Sequence, residues 1–526
     1  MALLIALVFL SVFSLANLVQ RMDSLPAEVS LRMECAKLIV AGKIPYVDFF
    51  VLDAPVILFI QSIPAAILQS DSGGYALVFA TFLFEWLISV GSLSLTAALL
   101  LRRRWLRDSL WSHGVLLTVA YLNIACVFQF GQTEHFLMLG IIPYIVARWL
   151  EYSGKKLREW ELIASGMAGA IAILLDPFFV VLPIAIEIAF ITQFQRFPIR
   201  FKSVFTVLIT VTALIVAALY GFAGLMMEGY HSNILPLLIG DRQTFDNRLY
   251  GFRSAPDTRI FPYLLVLATI LAMGIRKQST IIVPLVVSGW LGFAYVIAEG
   301  KGYTHQCLPM FWCASISFAI IGASLLTDLK RHCPRPLLRF AHLPALTAII
   351  LTAIICSALL IQQSNQILAD TAEKRLKIFA REDVYENIKR LTRRLDKVLI
   401  LNNNIAPMYP AMTLLERIPG SRLMWEFPFP ILVRMEREDQ NRPSKERDRL
   451  RDFYINVLTE DIEKNSPTLI LVDEGDSAGR IKQNGLKALI ETHYGAGGET
   501  QFFSDNVTPR EFTNQNYPLW TYTYER

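Results

Sequence analysis

The chain has 526 residues, 54% hydrophobic and 18% charged, with a mean hydropathy of +0.42; a soluble domain of this size carries about 25% charged residues. That deficit excludes an ordinary soluble protein, and the small net charge of +5, with no basic stripe interleaved with aromatics, excludes a nucleic-acid binder. The six cysteines (Cys35, Cys126, Cys307, Cys313, Cys333 and Cys356) form no CxxC pair and leave the tail empty, which excludes a cysteine zinc site and a disulfide-stapled ectodomain.

The apolar residues are gathered in 1–361, while 362–526 read as a soluble domain. The expected class is an α-helical polytopic membrane protein with a C-terminal α/β domain. Met-Ala-Leu-Leu-Ile-Ala-Leu at the start carries no basic residue, so an uncleaved span is expected there rather than a signal peptide. Stretches able to cross a ~30 Å apolar core fall near 2–19, 75–101, 110–128, 136–150, 160–175, 178–195, 203–224, 260–275, 280–298, 308–326 and 343–361. That makes about eleven spans.

Between the first two spans lies a long polar loop, residues 20–74. Ser24 suits a helix cap and Pro26 a first turn. Leu31, Cys35, Leu38 and Ile39 share one stripe, with Glu28, Arg32 and Lys43 elsewhere, which predicts an amphipathic helix on the membrane surface. Gly42 ends it, before Pro45. Residues 54–68 are apolar but too short to span, so a second interfacial or re-entrant helix is expected. Orientation follows from Lys and Arg. With a cytoplasmic N-terminus, 17 fall at the short inner loops and 9 in the much longer outer ones. The loops 20–74, 129–135, 225–259 and 299–307 then share the outer face with the tail.

In the tail, helices near 370–395, 437–463 and 479–493 alternate with strand-like runs at 397–401, 468–472, 501–503 and 519–522. Gly495, Gly497 and Gly498 lack the strand-to-helix setting of a phosphate loop.

Four carboxylates of the first loop, Glu28, Glu34, Asp48 and Asp53, could serve as a general base or hold a metal. They read equally as solvated loop charge, with Glu28 and Arg32 an i,i+4 pair. Glu85 stands inside the second span, where an ionisable side chain is either functional or paired with another span. Arg242, Arg248, Arg253 and Arg259, with Asp241 and Asp246, could grip a pyrophosphate or a glycan, or form a solvated loop.

Three motifs carry a resemblance. Glu28…Gly42-Lys-Ile-Pro-Tyr46-Val-Asp48-Phe-Phe50…Asp53-Ala-Pro55 resembles the first periplasmic loop of GT-C-fold glycosyltransferases, which include protein mannosyltransferases and aminoarabinose transferases. Phe130-Gly-Gln-Thr-Glu-His135 resembles the Gly-Gln-x-Glu-His signature of bacterial members. Glu299-Gly-Lys-Gly-Tyr-Thr-His305-Gln-Cys-Leu-Pro309 is similar to their Lys-Gly-x-x-Tyr-His-x-x-Pro loop, with one residue inserted. The three follow the family's order over roughly the first 330 residues.

The resemblance implies a GT-C-like domain over 1–361 and an extracytoplasmic accessory domain over 362–526. It implies transfer of a sugar from a polyprenyl-phosphate donor to an envelope glycan, lipid or protein, in a bacterial plasma membrane. Glu28 falls on the acid that serves as base, and Asp48 joins it in the catalytic loop. Asp53, Gln132, Glu134, His135, Lys301, Tyr303 and His305 fall on substrate-binding positions, with Lys301 and His305 facing the lipid phosphate. Val29 replaces the second leading acid of the family, so a two-carboxylate metal site is not implied. A divalent metal is compatible with the sequence and not required by it. The alternative is a transporter or flippase, or a catalytically inactive relative that binds glycan lipid; no internal repeat of the transporter kind is visible.

Overall fold

The computed structural model describes residues 2–20, 25–68, 74–103, 109–125, 129–196, 202–240, 260–275, 279–300, 303–332, 382–402, 405, 408–438, 444–473, 490 and 519–523. The expected span at 343–361, Ser24, Lys301 and the 241–259 loop lie outside them, as do the expected helix 479–493, apart from residue 490, and the strand at 501–503.

The described chain is mostly helical. Its first part contains α1 (Ala2–Gln20), α2 (Ala27–Val40), α3 (Pro55–Leu68), α4 (Gly74–Leu101), α5 (Leu110–Ala125), α6 (Thr133–Tyr152) and α7 (Glu159–Ile173). A 3₁₀ turn, Pro177–Val180, leads into α8 (Val181–Phe194) and α9 (Val204–Phe222). Then come α10 (Gly224–Gly229), a π turn (Tyr230–Ile234), α11 (Leu235–Gly240), α12 (Ile260–Ile275), α13 (Ile282–Glu299) and, after the 3₁₀ turn Thr304–Cys307, α14 (Leu308–His332).

Five helical segments among the described residues are long and apolar enough to cross a membrane: Gly74–Leu101, Pro177–Phe194, Val204–Phe222, Ile282–Glu299 and His305–Thr327. The 28 residues of α4 rise about 42 Å. α1, α3, α5 and α12 are apolar but shorter. α6 is buried on almost every side and forms the centre of the bundle, with α4 and α7 packed against it. α9 buries only Val204 and Leu208, leaving a wide apolar face outward. Small residues let these helices close up: a Cβ at Gly140 of α6 would lie 2.4 Å from the Ala168 carbonyl of α7.

One charged cluster is built into the bundle. Arg148 of α6, 1% exposed, donates from Nε to Glu187 Oε1 of α8 at 2.6 Å. The Glu187 carboxylate also accepts from Tyr144 at 3.2 Å and Tyr152 at 2.9 Å, while Glu151 takes a further Arg148 N–H and the Val204 backbone N–H. A buried ion pair is tolerated only when saturated in this way.

The C-terminal part holds α15 (Glu382–Leu391), β1 (Lys397–Leu401), α16 (Met408–Leu415), β2 (Ile418–Pro419), α17 (Pro428–Glu438), α18 (Lys445–Asn465), β3 (Leu469–Asp473) and β4 (Leu519–Thr523). The sheet runs β2-β1-β3-β4. β2, β1 and β3 are parallel, with Val398 opposite Leu469, and β4 is antiparallel to β3, with Leu471 opposite Thr521. After Lys397, β1 is apolar and buried from Val398 to Leu401, as expected of a strand covered on both faces. The strands meet the expectations at 397–401, 468–472 and 519–522. The helix expected at 437–463 is α18, which starts later, at Lys445, while α16, β2 and α17 were not expected.

The amphipathic surface helix is corrected in one respect. α2 is a helix ending before Gly42, but Val29 through Ala36 are all buried. The covering layers are α3 on one side and α16 of the tail on the other. Ser30 Oγ lies 2.8 Å from Thr413 Oγ1. Past the helix, Phe50 donates its N–H to the Arg422 carbonyl at 2.7 Å and accepts from Met424 at 3.2 Å, making a one-residue parallel bridge to the tail. Its ring stands edge-on to Phe453 and Tyr454 at 5.4 and 5.8 Å. The apolar core of the sheet therefore continues into Leu31, Cys35, Tyr46 and Phe50 of the first loop.

Arg148→Met would strand the Glu187 carboxylate in the bundle, a loss of about 3–5 kcal/mol. The expected readout is a marked fall in the temperature at which detergent-solubilised protein loses monodispersity. Adding Glu187→Met should restore part of it; a double variant no better than the single one would sink the ion-pair account.

Candidate active site

The first turns of α2 place Glu28 and Arg32 four residues apart on one helix face. They do not simply pair with each other. Arg32 is 5% exposed, and its guanidinium donates to Asp53 Oδ1 at 2.7 Å and to the Gly131 carbonyl at 3.1 Å. One residue further on, Gln132 Nε2 donates to Glu28 Oε2 at 2.9 Å. The Gly131-Gln132 turn thus holds both members of the pair, the cation by its backbone and the carboxylate by its side chain.

That turn is possible because residue 131 is glycine. Its φ is +81°, and a Cβ there would sit 2.5 Å from Oε1 of Glu85. Glu85, fully buried in α4, accepts from Gln61 Nε2 of α3 at 3.0 Å, so it is paired with another helix. Tyr46 also adopts a left-handed φ, +62°, which costs an L-residue about 1–3 kcal/mol unless its surroundings enforce it. Here its hydroxyl is tied to the Asp53 carbonyl at 2.5 Å, and Gly229 presses on its backbone.

Gln132 precedes α6, and Glu134 lies in the first turn, where a negative charge suits the helix dipole. Glu134 Oε1 accepts from Tyr295 Oη of α13 at 3.1 Å. His305, from the 3₁₀ turn before α14, lies within electrostatic reach of Glu28 and tilts against the Tyr303 ring at 5.4 Å. Burial alone pushes the Glu28 carboxyl up, but His305, the Gln132 hydrogen bond and Arg32 together outweigh it and hold the group below the usual carboxylate range. Glu28 is accordingly a half-buried, oriented carboxylate.

Residues from all three motifs therefore meet: Glu28, Arg32 and Asp53 from the first, Gly131, Gln132 and Glu134 from the second, His305 from the third. Other expected residues are placed differently. Asp48 accepts the Ile44 N–H at 2.8 Å and closes its own turn. Glu34 pairs with Lys37 at 2.7 Å. Tyr303 is 48% exposed, with its N–H donated to Gln306 at 3.2 Å. His135 is fully buried, packed by the rings of Phe130, Phe136 and Trp312 at 4.6–6.4 Å, with Nε2 3.3 Å from Asn123 Oδ1. Such a setting belongs to the bundle core rather than to a phosphate. Val29, at the position of the family's second acid, is buried in an apolar cluster with Met33, Val78 and Phe82. Among the described residues no group of three His, Cys, Asp or Glu side chains stands close enough to hold a metal ion.

Two residues were not anticipated. Asp176 caps the turn before α8, accepting the Phe178 N–H at 2.8 Å, and its charge reaches both Tyr295 and Tyr230. Tyr295 lines a small, mainly apolar cleft together with Leu137, Phe178, Phe179, Leu182, Leu291 and Pro309. The only sequence signals were an Asp-Pro step between two apolar runs and a tyrosine inside a third.

No protein-family model matches the chain, and no curated protein matches it in sequence.

Gly131→Ala combines a steric clash with a left-handed φ. It should destabilise the solubilised protein by about 1–3 kcal/mol and loosen the Arg32 and Gln132 contacts. Pairing it with Glu85→Ala relieves only the clash, so partial recovery is expected. Full stability in Gly131→Ala alone, measured by thermal unfolding, would show that the turn does not need glycine.

Proposed function

We propose that this protein is an integral membrane glycosyltransferase. It moves a sugar from a polyprenyl-phosphate donor to an envelope glycan, lipid or protein acceptor on the outer face of a bacterial plasma membrane, with inversion. The observation that carries the reading is Glu28: a single carboxylate kept ionised and aimed by Gln132, Arg32 and His305. Through Arg32 and Glu134 it connects to Tyr295 of α13, which lines a small apolar cleft. The three-motif resemblance and the lysine and arginine bias support the same reading.

In the reaction the acceptor hydroxyl gives its proton to a Glu28 carboxylate oxygen as its oxygen bonds to the anomeric carbon. The bond from that carbon to the phosphate oxygen breaks on the opposite face, and its electron pair leaves with polyprenyl phosphate. The phosphate is a good leaving group and needs no acid. His305, and Lys301 in the same loop, offset its charge. Glu28 returns the proton to solvent.

The transporter reading is favoured by one feature, the buried Glu85–Gln61 pair in the bundle. Purified protein that releases polyprenyl phosphate from a sugar-loaded lipid decides for the transferase, and movement of lipid without bond cleavage decides for the transporter.

Glu28→Gln should lower transfer by about 10²–10⁴-fold, with expression and membrane insertion intact; retained transfer removes Glu28 from the role. The depressed carboxyl also has a pH signature. Glu28 stays ionised until pH falls through its lowered value, so the acid limb of kcat/KM should lie below the usual carboxylate range. Gln132→Leu removes a hydrogen bond that favours the ionised form, and should move that limb to higher pH. An unmoved limb would mean that another group titrates.

A further inference from the structure

Pro236 is the second residue of α11, just past the π turn. A proline has no N–H for the carbonyl four residues back, which here belongs to Ser232. The tail serves that carbonyl and the next one. Arg449 of α18 donates from Nη2 to the Ser232 carbonyl, and Tyr454 Oη donates to the Asn233 carbonyl at 2.9 Å. Tyr454 is fully buried, and Met435 of α17 packs on Gly240 at the far end of α11. The tail therefore grips the turn beside the break that proline makes.

The other side of the turn bears on the first loop. Gly229 lies so close to the Tyr46 carbonyl that any Cβ there would collide with it, and the Tyr230 ring tilts on the Tyr46 ring at 5.1 Å. Tyr46 is the residue held at φ +62°. A tyrosine stays in that region only where its surroundings over-determine it, and the π turn is one wall of those surroundings. The Tyr46 hydroxyl reaches the Asp53 carbonyl, and Asp53 Oδ1 accepts from Arg32 Nε at 2.7 Å. An unbroken run of contacts thus joins Tyr454 to Arg32. We infer that Tyr454 and Pro236 are positioning residues: through them the tail holds the π turn, the turn holds Tyr46 in its left-handed conformation, and Asp53 and Arg32 stay in register with Glu28. That Glu28 then acts as a base rests on the transferase reading above; the clamp itself does not.

The test uses the full chain in detergent and follows amide hydrogen exchange in the turn 44–48, where the Asp48 N–H bonds the Ile44 carbonyl at 2.8 Å. Tyr454→Phe keeps the ring and loses the donor; exchange at 44–48 should quicken about fivefold, the worth of one hydrogen bond. Pro236→Ala returns an N–H to the helix, frees the Ser232 carbonyl from its need of the tail, and should quicken the same amides. Gly229→Ala presses on Tyr46 directly and should quicken 44–48 while leaving α18 unchanged. If Tyr454→Phe and Pro236→Ala quicken only 230–240 and α18, the contacts are packing alone and the proposal is overturned. In a transfer assay the same two variants should lower kcat about tenfold with KM for the donor lipid unchanged; quicker exchange at 44–48 with an unchanged kcat overturns the positioning role. Quicker exchange there in variants of a chain whose wild type transfers no sugar supports the clamp and removes the transferase reading.

Discussion

Arg32 is the interaction on which the rest of this site depends. A guanidinium taken out of water is stable only if its donors are met and its charge is balanced. Here the partners come from two distant segments, Asp53 in the first loop and the Gly131 carbonyl before α6, with the charges of Glu28 and Glu134 close by. One buried cation therefore locks the first loop to the central helix of the bundle. Glu28, one turn earlier on α2, inherits that fixed position and needs only Gln132 to orient it. A carboxylate held this way has little conformational freedom left to lose.

The helices were largely legible because apolar length and turn residues are local signals. Gly42 closes α2, and the apolar runs at 397–401 and 468–472 form the strands β1 and β3. Glu28, Gln132 and His305 were legible as motifs in order, and they do meet. The role of Arg32 was not, because a Glu–Arg pair four residues apart looks the same on an exposed helix and on a buried one. What buries it is packing contributed from distant segments, α16 of the tail among them, and no local pattern encodes that.

The neighbours Glu134 and His135 illustrate a second limit. They read as one unit, yet successive residues of a helix point about 100° apart. Glu134 accordingly turns to Tyr295, while His135 turns to Asn123 and Trp312. Asp176 carries no local signal of any other role, because an acid in a short hairpin is ordinarily just a cap. It is a cap here too, accepting the Phe178 N–H.

The contact between Ser30 and Thr413 has a consequence for biosynthesis. The two residues lie 383 positions apart, so most of the chain must be made before α2 acquires its second covering layer. Until then the apolar side chains of Leu31, Cys35 and Phe50 lack the part of their cluster that the tail contributes. The carboxylate-bearing loop is thus among the first segments synthesised and among the last completed. A chain cut short anywhere before the sheet would insert its helices and leave that loop unfinished, which makes an intact tail a built-in check that the site belongs to a whole protein.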